Sequence, residues 1–206
     1  MKPSNRPEVF SRNYLTKLDI AKSLNELCKE KELSKIRIDE VASRSRLSRS
    51  GFYYHFTSLN DVVTWLSMQF YEQGIDQTGR TLTWLEGHLV TTRGFYKFKP
   101  LFTAGALSTD YDGGRPFFTR HRQENLTETL VNYQHLELTK KLSFQIEAIP
   151  YIERNMTNNW EMGRYDLTLF EFCELLTSLV PRELYEALNT PIEKATLPIE
   201  IIQAML

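Results

Sequence analysis

The sequence predicts an all-α protein of eight or nine helices, and three observations support that prediction. Apolar residues recur every three or four positions through most of the 206 residues, which is the period of an amphipathic helix. The apolar–polar alternation of a strand is nowhere sustained over five positions. The 41% hydrophobic content can fill a sizeable core, so the length fits one large domain or a small domain followed by a larger one.

The first two helices are indicated by a cap and by periodicity. Ser11 is a plausible N-cap, and the apolar residues between Leu15 and Cys28 share one face of a long helix. The charged stretch KEKELSK, residues 29–35, interrupts that pattern. A short second helix is expected next, with Val41 and Ala42 facing inward, and a turn follows near residues 45–47.

Two more helices follow directly after this turn. Ser48 can cap a third short helix from Arg49 to His55, because its hydroxyl can accept a hydrogen bond from the first helical turn. Ser58 and Asp61 approximate a capping box for a fourth helix from residue 59 to about residue 74. The first quarter of the chain is therefore expected to form three short-to-medium helices that lead into a longer one.

Five further helical blocks are expected at residues 81–96, 98–108, 116–134, 138–162 and 167–179. The segment GALSTDYDGGRP, residues 105–116, is the clearest loop, and its three glycines suit a mobile gate. The tail, residues 191–206, contains two prolines and an apolar end. Its composition fits a short docked helix and a partner-binding extension equally well.

Charge is distributed unevenly along a chain whose net charge is only −1. Residues 1–60 contain 12 Lys and Arg against 7 Asp and Glu, whereas the remaining residues contain 13 against 19. A basic N-terminal part on an acidic body suggests that the N-terminal part binds a polyanion.

Cysteine usage and the lack of long apolar runs indicate the compartment. Cys28 and Cys173 lie far apart without a CxxC pair, which is typical of buried thiols in a reducing environment. The first residues lack the apolar core of a secretory signal, and no run approaches 18 uncharged apolar residues. We therefore expect a cytoplasmic protein with no membrane partner.

The second and third predicted helices form a helix-turn-helix arrangement. Both are short, a tight turn joins them, and the first helix is expected to pack across them; in this motif the second helix of the pair enters the major groove of DNA. Phe52 and Phe56 are four residues apart and face the core. Tyr53, Tyr54 and His55 then project largely outward, where hydroxyl and imidazole groups suit contacts with phosphate and bases.

Residues 38–63, IDEVASRSRLSRSGFYYHFTSLNDVV, resemble the DNA-binding motif of the TetR-type transcriptional regulators. The resemblance lies in the order Val-Ala, a turn, Leu-Ser, the block FYYHF and a Ser-capped fourth helix. The FYYHF block and the stretch SLNELCKEKELSKIRI are similar to the branch of that family that includes the dihydroxyacetone kinase regulator. The resemblance implies an N-terminal three-helix DNA-binding domain, residues 1–57, joined by a long fourth helix to a helical effector-binding and dimerisation domain, residues 58–206.

Four positions depart from the family's pattern. Arg46 stands where the family usually has a turn glycine, and a left-handed backbone there costs an arginine on the order of 1 kcal/mol. Gly51 follows Ser50 in place of the family's Gly-Thr, Arg37 replaces a capping threonine, and Leu59 replaces a phosphate-binding lysine. The family's sequence preference is therefore not carried over to this chain. The expected DNA-binding residues are Arg37, Arg46, Ser48, Arg49, Ser50, Tyr53, Tyr54 and His55.

The resemblance also implies an effector site and a dimer interface in the body. Aromatic and polar residues on several helices are candidates for a pocket that takes a small, mostly apolar effector: Trp84, His88, Phe102, Phe118, His121 and Asn155. The 138–162 block and the 167–179 block resemble the family's dimerising helix pair, and the second is apolar on nearly every side. The expected interface residues are Ile149, Met156, Trp160, Phe172 and Leu176.

Enzyme chemistry has little support in the sequence. No Ser/His/Asp order, Gly-rich phosphate loop or HExxH motif is present, and the histidines of the body lack the spacing of metal ligands. We expect no cofactor and no bound metal. The sequence favours a ligand-responsive DNA-binding regulator, a homodimeric repressor on a palindromic operator; a coactivator or protein-interaction module with a degenerate DNA-binding head is the alternative.

Overall fold

The computed structural model describes residues 11–107 and 114–193, and over these ranges the chain is helical, as predicted, with no β-strand. The α-helices are α1 (Arg12–Cys28), α2 (Ile38–Arg44), α3 (Arg49–His55), α4 (Leu59–Gln73), α5 (Trp84–Lys97), α6 (Lys99–Leu107), α7 (Gly114–Glu128), α8 (Lys140–Glu161), α9 (Leu169–Ser178) and α10 (Arg182–Leu188). Short 3₁₀ turns occupy Leu33–Lys35 and Ile75–Gln77, and a π-helical turn occupies Thr129–Tyr133. No described helix has the length and apolarity needed to cross a membrane.

Two predictions concern residues outside the described ranges. The loop expected at residues 105–116 is wrong at its two ends, because residues 105–107 belong to α6 and residues 114–116 to α7. Its residues 108–113, where the gate was expected, and the apolar end of the tail, residues 194–206, lie outside the described ranges. Both stay predictions. The helix α10 was not expected from the sequence, because seven residues are too few to show a helical period. Leu184 and Leu188 lie four apart on α10 and are fully buried.

One compact unit contains the described residues up to 66 together with residues 98–107. Its core is formed by side chains from α1, α2, α3 and α6, with Leu24, Val41, Phe52 and Leu101 completely buried. The helix α6 packs on α1, and the backbone N–H of Leu101 donates to Asn25 Oδ1 over 3.2 Å. This unit therefore includes a helix from later in the chain than the predicted boundary at residue 57. The functional domain limits, 1–57 and 58–206, stay a prediction.

The second compact unit contains residues 67–97 and the described residues from 114 onward. Its larger core cluster surrounds Trp84 and draws on α5, α7, α8 and α10, with Leu126, Ile149 and Leu184 completely buried. A smaller cluster joins Trp160 of α8 to the inward face of α9. The indole of Trp160 stacks on the ring of Phe172, with centroids 4.9 Å apart.

Candidate nucleic-acid interface

The turn between α2 and α3 ends α2 in a Schellman motif. Arg46 adopts a left-handed backbone with φ of 59°, and its N–H donates to the carbonyl oxygen of Ser43 over 3.1 Å. The N–H of Leu47 reaches back to the carbonyl oxygen of Ala42 over 2.8 Å, so two terminal carbonyls of α2 are satisfied. The motif usually places glycine at this left-handed position, and here it places an exposed arginine.

The start of α3 is capped as the sequence predicts. Ser48 Oγ accepts a hydrogen bond from the N–H of Gly51 over 3.1 Å, and it also lies 2.9 Å from Ser50 Oγ. Ser48, Arg49 and Ser50 are all exposed. The cap therefore sets the direction of α3 and leaves its first residues open to a partner.

The side chains of α3 divide between the core and the surface. Phe52 and Phe56 are buried, with ring centroids 6.1 Å apart, and Phe56 packs edge-on against Trp65. Tyr53 retains 44% of its accessible surface and Tyr54 retains 83%. Because Phe52 and Phe56 bury one side of α3, the opposite side presents two tyrosines to a partner.

His55 is less exposed than the other two outward residues. It is half-buried, and its Nδ1 lies 2.9 Å from Oδ1 of Asn13 on α1. Burial, followed by the nearby charge of Lys17, lowers the pKa of His55 below its usual range. The neutral imidazole is thus held in one orientation at the edge of the exposed face of α3.

Arg49 is held by groups on two helices. Its Nη1 lies 3.0 Å from each carboxylate oxygen of Asp39, in the first turn of α2. Its Nη2 donates to the hydroxyl of Tyr53 over 3.3 Å, and its guanidinium lies 5.5 Å from the centre of the Tyr53 ring. The hydrogen bond and the charge of Asp39 raise the pKa of Arg49 further. Arg49 and Tyr53 are therefore positioned as a pair.

Arg37 and Arg46 flank α3 on the surface of the same unit. Arg37 is the N-cap residue of α2, and its backbone N–H donates to Glu40 Oε2 over 2.8 Å. Glu40 is also paired with Lys31, at 2.5 Å between Oε1 and Nζ. The Glu40 carboxylate thus supplies the reciprocal bond of a capping box. The N–H of Glu40, which a threonine hydroxyl at position 37 would accept from, bonds instead to the Arg37 carbonyl oxygen over 3.0 Å, and the Arg37 side chain remains exposed.

The predicted cap of α4 is present with one change of partner. The N–H of Asp61 donates to Ser58 Oγ over 3.1 Å. The Asp61 carboxylate accepts from the backbone and the hydroxyl of Thr57, so the reciprocal bond falls one residue earlier than in a capping box. Leu59 begins the helix and is half-buried.

The residues expected to bind an effector differ in burial and are distributed over the two compact units. Phe102 belongs to the first compact unit, where it is buried on α6. Trp84 and His88 are enclosed in the core of the second unit, and their rings lie 5.9 Å apart. Asn155 is on the exposed side of α8, where its Oδ1 accepts from Asn159 Nδ2.

The other two expected effector residues, Phe118 and His121, lie together on α7. Tyr71 contacts both of their rings, at centroid distances of 5.4 Å and 6.3 Å. The exposed ring of Phe117 stacks on His121 at 6.4 Å. Phe118 and His121 of the expected set thus form a partly exposed aromatic cluster with Tyr71 and Phe117, which were not in that set.

A buried ionic network explains why His88 is enclosed. His88 Nε2 lies 3.2 Å from Glu153 Oε1, and its Nδ1 lies 2.8 Å from Thr177 Oγ1. Arg122 donates to both oxygens of Glu153 over 3.2 and 3.3 Å. Burial alone would raise the pKa of Glu153, but the Arg122 charge and the His88 hydrogen bond outweigh it and lower the pKa to about 2. The network connects α5, α7, α8 and α9.

The residues expected at a dimer interface are largely covered by their own chain. Ile149, Trp160, Phe172 and Leu176 are buried within the second unit, and Met156 is half-buried against the Trp160 cluster. The same two helices carry a different set of apolar side chains that is exposed. That set consists of Phe144 and Tyr151 on α8, Phe170 and Leu175 on α9, and Leu179, the C-cap residue of α9.

Two residues near α3 were missed by sequence reasoning. Asp39 contacts Arg49 across the turn, and Asn13 contacts His55 from 42 positions away. The sequence offers one indication of the Asp39 contact: an acidic residue stands in the first turn of a short helix, ten positions before Arg49. Within the described residues, no group of three or more His, Cys, Asp and Glu side chains is arranged to hold a metal ion.

The chain is similar to known proteins in its structure. No protein-family model matches the chain, and no curated protein matches its sequence. The dihydroxyacetone kinase operon activator DhaS aligns with a TM-score of 0.65 at 14% identity, over 85% of this chain and 99% of its own. A TetR transcriptional regulator from Rhodococcus sp. RHA1 aligns with a TM-score of 0.52 at 15% identity, over 81% and 96% of the two chains.

A TetR-family transcriptional regulator from Streptomyces coelicolor also aligns with a TM-score of 0.52, at 14% identity, over 92% of this chain and 89% of its own. Each of the three alignments covers more than four-fifths of this chain. At these identities the likeness establishes the architecture. The chain has the fold of the TetR-type transcriptional regulators.

Proposed function

We propose that this protein is a DNA-binding transcriptional regulator that inserts α3 into the major groove. The observation that carries the proposal is the two-sided α3, which buries Phe52 and Phe56 and exposes Arg49, Tyr53 and Tyr54. Tyrosine rings and hydroxyls can contact thymine methyl groups and phosphates, and arginine can reach guanine or phosphate. The structural similarity to TetR-type regulators supports the same function.

The remaining predicted contacts are proposed to position the protein on the phosphate backbone. Arg37, Arg46, Ser48 and Ser50 are exposed around α3, and His55 is held at its edge by Asn13. Contacts with phosphate set register and orientation but carry no sequence information directly. Base recognition is therefore assigned to Arg49, Tyr53 and Tyr54.

Selection of bound duplexes from a random DNA pool tests this proposal. We expect one enriched sequence, bound more weakly as salt rises, because each phosphate contact adds about 0.9 to the slope of log affinity against log salt concentration. Tyr54→Ala should weaken binding to that sequence. Arg182→Ala, a matched removal of an exposed side chain on α10, should not. A pool without enrichment would contradict the proposal.

We further propose that the protein acts as a homodimer. Two helices of one compact unit expose apolar side chains: Phe144 and Tyr151 on α8, Phe170 and Leu175 on α9, and Leu179 at the C-cap of α9. A two-fold interface would bury the same patch on both copies. The operator should then be a near-palindrome, with half-sites about 34–36 Å apart or a multiple of that spacing.

The proposed effector is small and mostly apolar, as the sequence indicates. We assign its binding surface to the aromatic cluster of Tyr71, Phe117, Phe118 and His121, because Trp84 and His88 are buried in the core. Thermal-shift screening against neutral aromatic compounds should give a hit that Phe117→Asp removes. A hit that survives this substitution would place the effector elsewhere.

The proposed effect on transcription is repression that the effector relieves, through binding the DNA-competent form less tightly than the other form. One structural neighbour is an operon activator by name, which makes activation the competing outcome. A reporter placed behind the selected operator separates the two: deletion of the regulator raises expression if it represses and lowers expression if it activates.

A second candidate function is a coactivator or protein-interaction module with a weakened DNA-binding head. The pairing of Arg49 with Asp39 favours it, because a carboxylate beside DNA repels phosphate, and so does the half-buried Leu59 at the start of α4. Titration against genomic fragments at two salt concentrations distinguishes the candidates. A head of this second kind would show only weak, sequence-independent binding.

A further inference from the structure

Asp39 lies at a surface where a carboxylate is unfavourable if that surface meets DNA. It is in the first turn of α2, and its side chain and that of Arg49 are both more than half exposed. Repulsion between Asp39 and phosphates acts over about 10 Å at 0.1 M salt. Asp39 therefore lowers the affinity of this surface for every DNA sequence. A carboxylate at this position is an advantage only if it has a second role.

The second role of Asp39 is to hold the Arg49 side chain in one position. Arg49 Nη1 lies 3.0 Å from both Asp39 oxygens, while Nη2 bonds to the Tyr53 hydroxyl, so the guanidinium is restrained from two directions. A guanidinium has five N–H donors, and these bonds occupy at most three of them. The remaining donors include the Nε–H, whose direction is set once the other nitrogens are held.

Restraint changes what an arginine does at a DNA surface. A free arginine on a flexible stem can follow the nearest phosphate, which gives affinity without sequence information. An arginine held by a carboxylate on a neighbouring helix loses that freedom, and its remaining donors point in one direction. Specificity can arise in this way from a repulsive group as well as from attractive contacts.

We propose that Asp39 is a specificity-determining positioning residue, which holds Arg49 for a base edge and keeps it from pairing with phosphates. The inference rests on the proposed DNA-binding function. It concerns the one pair of charged side chains that joins α2 to α3 among the described residues. The inference also explains the contact between Arg49 and Tyr53. The two side chains then face the DNA together, with the remaining N–H donors of Arg49 beside the Tyr53 hydroxyl.

The test compares Asp39→Asn with the natural chain on the selected operator and on random duplex. Affinity for random duplex should rise, and the salt slope on it should steepen by about 1, because the released Arg49 neutralises a phosphate. The ratio of operator affinity to random-duplex affinity should fall about tenfold, the lower part of the range for one well-oriented base contact. Thermal melting should confirm that the variant is folded.

Glu30→Gln is the matched control. It makes the same change in charge and releases Arg44 of α2 from an ion pair of 3.1 Å in the same compact unit. Its affinity ratio should stay that of the natural chain. Asp39→Asn should also have no effect on the ratio in an Arg49→Ala background, since the proposed role acts only through Arg49.

Arg49→Lys gives an independent measure if the Asp39 variant is poorly folded. Lysine keeps the charge and lacks the planar set of donors, so the affinity ratio should fall while the salt slope is kept. An unchanged ratio in Arg49→Lys overturns the inference, as does an Asp39→Asn effect that persists in Arg49→Ala. A natural chain that selects no sequence overturns the proposed function and this inference together, whereas normal selection with an unchanged Asp39→Asn ratio overturns this inference alone.

Discussion

Arg46 stores backbone strain at the centre of the helix-turn-helix. Its φ of 59° is a left-handed conformation that costs a residue with a Cβ on the order of 1 kcal/mol, and glycine avoids that cost. We expect Arg46→Gly to raise the free energy of unfolding by about 1 kcal/mol. Denaturant titration measures the change.

Arg46→Ala is the matched control for this substitution. It removes the same charge and keeps the strained backbone, so its free energy of unfolding should not rise. If the Arg46 guanidinium contacts phosphate, both variants should lose the same affinity for DNA. Equal stabilisation by glycine and alanine would show that the charge, and not the backbone, determines the effect.

His121 makes the stability of the second compact unit dependent on pH. Its hydrogen bond to the buried carboxylate of Asp76, 2.6 Å between Nε2 and Oδ2, raises the pKa of His121 against the opposing effect of burial. The folded state then binds the proton more tightly than the unfolded state. The resulting stability is fully present below about pH 6.5, the usual histidine pKa, and is lost as the pH rises through the raised pKa.

His121→Gln should remove this dependence. Over the range from about pH 6 to pH 8, the melting temperature of the natural chain should fall relative to that of the variant. The lowered pKa of His55 acts in the opposite sense, with stability lost as the pH falls, but His55 is present in both chains and cancels in the difference. Parallel melting curves across this range would contradict the assignment.

At the level of single residues, the sequence indicated backbone and capping roles well and contacts between distant residues poorly. The role of Ser48 as a cap and the left-handed turn at Arg46 were predictable, because both follow from local hydrogen bonding. The pairing of Asp39 with Arg49 and of Asn13 with His55 was not. Those contacts depend on how α1 and α2 approach α3, and no local pattern encodes that approach.

Among the helices, two glycines should respond in opposite ways to the same substitution. A Cβ at Gly51 of α3 would meet Leu47 Cβ and Ser48 Oγ at 3.4 Å, an ordinary contact. A Cβ at Gly94 of α5 would lie 2.5 Å from the ring of Phe70, which is buried. The first site has room for a methyl group, and the second does not.

Gly51→Ala should therefore raise the free energy of unfolding by about 1 kcal/mol, the difference in helix propensity between the two residues. Gly94→Ala should lower it by about 1–3 kcal/mol, because α4 and α5 would have to move apart. Denaturant titration of each variant gives the sign. A stabilised Gly94→Ala protein would show that the contact between Phe70 and α5 is looser than the structure has it.

Helix positions were predicted best where caps and long apolar periods coincide. The bounds of α3 matched the prediction because Ser48 starts the helix, and α8 and α9 fell within their predicted blocks. The block 116–134 instead passes into a π-helical turn at Thr129–Tyr133, with Gln134 N–H bonded to the Thr129 carbonyl. A π-turn keeps the apolar spacing nearly helical, so periodicity alone does not reveal it.

Across the whole molecule, the sequence indicated the fold class but not which surfaces meet. Phe102 and Trp84 were expected to line one pocket, and that stays a prediction; within its own compact unit, the helix of Phe102, α6, packs on α1. The apolar faces of α8 and α9 were recognised, but a helix that is apolar on two sides does not reveal which side faces its own core. Ile149 and Leu176 turned out to face inward, and a separate set of apolar side chains remained exposed.

That exposed set leads to the prediction about assembly. Leu175 on α9 is 54% exposed, and Leu179, the exposed C-cap residue of α9, follows it four positions later on the same side of the helix. If two copies meet through α8 and α9, a charge at position 175 is buried without a partner in both copies. Such a change costs several kcal/mol, enough to shift a micromolar dimer to monomers.

Leu175→Glu should therefore be monomeric by light scattering at micromolar concentration, while the natural chain is dimeric. Leu15→Glu is the matched control, since Leu15 is equally exposed, at 50%, on α1 of the other compact unit, and that variant should stay dimeric. Leu175→Glu should also lose affinity for a palindromic operator and keep its affinity for a half-site, because each head is intact. A natural chain that scatters as a monomer, or a Leu175→Glu protein that scatters as a dimer, would exclude this surface as the interface.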